Sequence, residues 1–152
     1  MKTWKSLSRS QRILELLCLV LLAGMFLVLL AGWGSIPEQI PGHYNGEGVI
    51  DRWTGKWELL LMLFFTVFMY LLLTVCTAVC LPSVRKMELP WAAMAWLAAV
   101  KLVVLAGFAF VTFRMAQARP LSEGFTKVFV GAAALPCAGF IVSSLRFALA
   151  KR

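Results

Sequence analysis

Between Ile36 and Trp57 the chain reads IPEQIPGHYNGEGVIDRWTGKW, a polar stretch holding its single histidine, His43, with Asn45, Glu47, Asp51, Arg52 and Lys56. A carboxylate beside an imidazole fixes its tautomer and can equip it as a general base or a metal ligand. His43 and Asp51 are the residues here that could form such a pair. As a metal set the group is thin, because no H-E-x-x-H or C-x-x-C spacing accompanies it. As a hydrolytic site it lacks a marked nucleophile: Ser35 and Thr54 are the candidate hydroxyls, and nothing beside them signals activation. The plainer reading is that His43, Asn45 and Asp51 hydrogen-bond loop backbone and only hold the cap's shape; a ligand- or peptide-binding cap is the functional alternative. The pattern favours binding over catalysis, and no catalytic residue, metal or cofactor is expected.

A second chemical candidate lies elsewhere. Lys101 sits eleven residues past Pro90 within an apolar run, roughly 16 Å along a helix and so near the middle of a bilayer. An ionisable group at that depth marks a functional hypothesis, against the plainer reading of a lysine that snorkels or bonds to a nearby hydroxyl or backbone oxygen. No carboxylate is expected at its depth: Glu15 reads as lying near the inner boundary and Glu58 near the outer one. Cys18, Cys76, Cys80 and Cys137 all fall in apolar runs, where cysteine packs as a small apolar residue rather than forming a disulfide framework.

The elements that must carry these groups follow from composition. The 152 residues are 61% apolar and only 14% charged, well below the roughly 25% charged residues of soluble domains, with a mean hydropathy of +0.84. Four runs, 13–33, 57–81, 89–113 and 125–149, approach or exceed the ~20 apolar residues needed to cross a bilayer. They are continuously apolar rather than alternating, which excludes a β-barrel. The first is too long for the 7–15-residue core of a signal peptide and reads as a transmembrane helix. The expected fold is an all-α integral membrane protein: one domain over 1–152, four helices in an antiparallel bundle, and a cap at 34–56 between helices one and two. Pro37 and Pro41 limit helix in that cap, and Pro41-Gly42 and Gly46-Glu47-Gly48 are turn chemistry. Pro82 is expected to end helix two, and Pro136 to kink helix four beside the small pair Gly139 and Ser143.

Charge sets the orientation. Nine Lys and Arg flank the side carrying both termini, against five on the other, so the positive-inside rule places the termini in the cytoplasm and 34–56 outside. The net charge of +8 is then a topology signal and an attraction to anionic lipid, not a nucleic-acid footprint.

The spacing Pro41-x-His43-Tyr44-Asn45, followed by Gly48, Asp51, Trp53 and Lys56 ahead of a helix, resembles the signature of the SdpI-type bacterial membrane proteins. The resemblance covers about twenty residues, or about seventy with the flanking helices. It implies a bacterial cytoplasmic-membrane protein, with toxin immunity or signalling at the outer surface, and a motif of His43, Asn45, Gly48, Asp51, Trp53 and Lys56. It assigns no chemical role to any of them. The family's immunity protein has further helices beyond this hairpin, whereas this chain has four.

The leading expectation is a non-enzymatic membrane protein whose outer cap recognises a peptide, a lipid headgroup or a partner protein. One alternative is a small transporter that uses Lys101. Another is a metal-assisted membrane enzyme at His43 and Asp51. The expected partners are the lipid bilayer and an extracellular peptide or membrane protein, with no nucleic acid; the oligomeric state is not readable.

Overall fold

The computed structural model describes residues 8–86 and 91–150, with 79–86 and 91–94 described by their backbone alone. The chain forms helix α1 (Arg9–Gly32), a 3-10 turn (Trp33–Ser35), strands β1 (Gln39–Tyr44) and β2 (Ile50–Gly55), then helices α2 (Glu58–Lys86), α3 (Trp91–Ala116) and α4 (Phe125–Ala150). All four helices are long and apolar enough to cross a membrane. Their outer faces carry exposed Val20, Leu27, Leu30, Phe64, Leu71, Val128 and Leu135, apolar surface far beyond what water favours.

Local chemistry fixes the ends. Ser8 and Gln11 form a reciprocal capping box at the start of α1: the Gln11 amide donates to Ser8 Oγ at 3.2 Å, and the Ser8 amide donates to Gln11 Oε1 at 2.8 Å. The chain leaves α1 through the 3-10 turn, where Ser35 Oγ donates to the Gly32 carbonyl at 2.8 Å. Two expectations are corrected. Helix α2 continues through Pro82 to Lys86, because an apolar helix can absorb the one backbone bond that a proline removes. The segment between α1 and α2 is not purely irregular, so the fold is not strictly all-α: β1 and β2 pair as an antiparallel hairpin. Residues 87–90, expected to complete a tight turn between α2 and α3, lie outside the described residues.

Helix α3 is the hub. It packs against α1, α2 and α4, whereas α1 and α2 touch each other sparsely and α4 leans on α3. The α3–α4 contact is reciprocal. A Cβ built on Gly107 of α3 would lie 2.1 Å from the Phe129 ring of α4, and one on Gly139 of α4 would lie 2.6 Å from the Trp96 ring of α3. Each helix thus offers a glycine notch to an aromatic knob of the other. Gly107→Ala should lower stability by about 1–3 kcal/mol through overpacking. Unfolding of the purified protein in mixed micelles measures this, and Gly131→Ala, where a Cβ meets nothing within 4 Å, is its control.

A buried apolar cluster lies directly under the hairpin. Ile36 and Ile40 pack with Leu29 of α1, Leu59 of α2 and Met115 of α3, flanked by Trp33 and Tyr44. Ile40 and Leu59 are wholly buried, so β1 is seated on three helix ends rather than tethered above them.

Candidate functional site

The hairpin is secured at its base, its tip and its flank. At the base, the Lys56 amide donates to the Glu38 carbonyl at 3.0 Å and Lys56 Nζ pairs with Glu38 Oε1 at 2.6 Å. The ammonium also lies 5.6 Å from the centroid of the Trp33 ring, which meets Trp57 edge-on at 5.3 Å. Lys56 thereby joins both strand ends to the aromatic pair at the mouths of α1 and α2.

At the tip, Asn45 does the work of a turn residue. Its side-chain Oδ1 accepts from the amides of Glu47 at 2.9 Å and Val49 at 3.0 Å, while its carbonyl accepts from the Gly48 amide at 3.0 Å. Gly48 has φ +84°, a region L side chains avoid, and its carbonyl accepts from the Leu121 amide at 2.9 Å. Leu121 belongs to the α3–α4 connection, 117–124. Tyr44 adds a second tie, its hydroxyl donating to the Arg119 carbonyl at 3.1 Å. Burial pushes the Tyr44 phenol up to about 12, against the opposing pull of Arg114. Arg114 folds the same connection back by donating from Nε to the Pro120 carbonyl at 2.8 Å, with its Nη2 on the same oxygen.

On the flank, the strand register shifts on both sides of His43, leaving Gly42 and Asp51 without direct partners. Bulges re-aim side chains, and here His43 Nδ1 meets Asp51 Oδ1 at 2.6 Å. The two side chains are 63% and 45% exposed, so the pair adds little to stability and is open to a ligand. A carboxylate at Asp51 can only accept, so Nδ1 is the donor, and in the neutral imidazole Nε2 then carries the lone pair; among the described residues no hydrogen bond engages Nε2. Arg52 stiffens the strand beside it, donating to the Gly42 carbonyl at 2.9 Å and lying 3.6 Å from Glu58. Glu58 also accepts from Thr54 Oγ1 at 2.6 Å. Trp53 is 52% exposed.

The six motif residues therefore divide. Asn45, Gly48 and Lys56 build the hairpin; His43, Asp51 and Trp53 are presented by it. Beside the tip, Gly46, Glu47, Val49, Glu123, Gly124 and Lys127 line a cleft of about 360 Å³. Among the described residues no three His, Cys, Asp or Glu come together in a way that could hold a metal. Sequence reasoning overlooked Glu38 and Leu121, whose roles depend on strand pairing and on a loop distant in sequence. The expectation that no carboxylate accompanies Lys101 is corrected: Glu15 is its ion-pair partner.

The family described as "Domain of unknown function (DUF1648)" matches residues 20–68. That stretch is less than half of the chain and runs from the C-terminal half of α1 through the whole hairpin into α2, so it contains all six motif residues. No curated protein matches the chain, and neither does any solved structure.

Proposed function

We propose that this chain is a small multi-pass protein of a bacterial cytoplasmic membrane whose outward-facing hairpin recognises an extracellular peptide, in immunity or signalling of the SdpI type. In this reading the four helices form an antiparallel bundle with both termini in the cytoplasm, as the Lys and Arg distribution requires, and the hairpin is its cap. The observation that carries it is the exposed His43–Asp51 pair, mounted on a hairpin tied at both ends. An imidazole with a fixed tautomer and a free Nε2 accepts a hydrogen bond from a peptide amide or ammonium, and an exposed tryptophan at Trp53 supplies apolar contact. Preorganisation of this kind lowers the ordering penalty of binding. The match over 20–68 is compatible with a membrane family and carries no function of its own; the His–Asn–Gly–Asp–Trp–Lys spacing is what supports the kinship.

Cells lacking the gene should become at least several-fold more sensitive to secreted toxic peptides encoded beside it, and the wild-type gene should restore resistance. His43→Ala and Asp51→Asn should fail to restore it at equal membrane abundance. Unchanged sensitivity on deletion would sink the immunity reading. Full rescue by both variants would remove the pair from recognition.

A further inference from the structure

A polar cluster inside the helices belongs to neither the hairpin nor its recognition surface. Lys101 of α3 donates from Nζ to Glu15 Oε1 of α1 and to Thr74 Oγ1 of α2 at 3.1 Å. Its ammonium also lies 5.0 Å from the centroid of the Tyr70 ring of α2. The Tyr70 hydroxyl donates to the other carboxylate oxygen, Glu15 Oε2, at 3.3 Å. Cys18, one turn beyond Glu15, is wholly buried. Three helices thus converge on one carboxylate and one ammonium. Helices α1 and α2 touch each other sparsely elsewhere and are joined covalently at their outer ends by the hairpin, so this cluster is the main bond between them at depth.

The two charges differ in access. The Lys101 side chain is 3% exposed and that of Glu15 is 15% exposed, and Glu15 is only the seventh residue of α1, within two turns of its start. We propose that Glu15, Tyr70, Thr74 and Lys101 form a proton-binding site that controls how α1 docks on α2 and α3. One proton, taken from hydronium in the aqueous phase, bonds to the Glu15 carboxylate and leaves a water molecule; no electron moves. The ion pair is thereby lost. The ammonium keeps Thr74 and the Tyr70 ring, while α1 loses its charged anchor and separates from α2. The titratable groups facing the site are Glu15 and Cys18 from α1, Tyr70 from α2 and Lys101 from α3. Among the described residues, α4 makes no ion pair or hydrogen bond with it. An uncompensated charge at such depth is strongly disfavoured, which is why one proton suffices to change the packing.

The test is a spin–spin distance between α1 and α2 in lipid vesicles. The full chain carries labels on Arg12→Cys and on native Cys76, both at exposed positions, with Cys80→Ser and Cys137→Ser to remove other reactive thiols. At pH 8 a single narrow distance is expected. On acidification a second, displaced population should grow along a one-proton curve. Glu15→Gln should show the displaced population at every pH. The paired change Glu15→Met with Lys101→Met, which removes both charges together, should stay narrow throughout and keeps the test decisive if the single variant does not fold. A distance that is invariant with pH in the parent chain overturns the proposal, as does a double variant that titrates like the parent.

Discussion

Lys101→Met should be among the most destabilising single changes available to this chain, with a loss of about 3–5 kcal/mol. It strips the Glu15 carboxylate of its counter-ion and leaves it the Tyr70 hydroxyl alone. The magnitude reflects an orphaned charge rather than the net worth of the pair, and a second variant separates the two. Replacing Glu15 and Lys101 together by methionine removes both desolvation penalties, and stability should return to within about 1 kcal/mol of the parent, or exceed it. The single variant also carries a pH signature. Its deficit is largest where the orphaned carboxylate is ionised and shrinks as falling pH neutralises it, whereas the double variant has no such slope. Unfolding in mixed micelles at two pH values reads both effects. A single and a double variant equally unstable would show that the methionines disturb packing and that charge is not the cause.

The second large effect is expected at the hairpin tip. Gly48→Val faces two penalties. A β-branched residue at φ +84° sits in a backbone region that costs about 1–3 kcal/mol, and its Cβ would lie 3.0 Å from Leu121 Cβ and 3.2 Å from the Leu121 carbonyl. The tip cannot move away without breaking the Leu121 amide bond to the Gly48 carbonyl. A total loss of about 2–4 kcal/mol follows from strain and crowding together. Gly46→Ala, two residues earlier, meets nothing within 4 Å and should change stability by less than about 0.5 kcal/mol. Thermal unfolding of the two variants in detergent gives the contrast, and equal behaviour would refute the role given to Gly48.

What could be read from the chain, and what could not, divides along physical lines. The four apolar runs were legible because the required length is set by bilayer thickness, and the observed helices lie within a few residues of them except where α2 passes Pro82. The hairpin was not legible. Its strands are six residues each, β1 is interrupted by Pro41-Gly42, and their pairing is irregular on both sides of His43, so no clean alternation marks them. The composition of the motif did point to a folded unit, and Asn45 and Gly48 stood where a turn needs them. The pairing of Glu15 with Lys101 was not legible, because it joins residues 86 apart on two helices whose packing the apolar runs do not specify, and the capping box starts α1 at Arg9, ahead of the apolar run. Leu121 carried no signal at all, since it contributes a backbone amide and any residue but proline has one.

The bonds from Leu121 to Gly48 and from Tyr44 to Arg119 also set an order of events during synthesis. The hairpin leaves the ribosome long before the connection that completes it, with the whole of α2 and α3 still to follow. Until residues 117–124 arrive, the Gly48 carbonyl and the Tyr44 hydroxyl must be satisfied by water, and β1 has no Met115 to seat upon. The hairpin is therefore among the first parts of the chain to be made and among the last to become itself. A truncated or stalled chain would display His43 and Asp51 without the frame that gives them their shape.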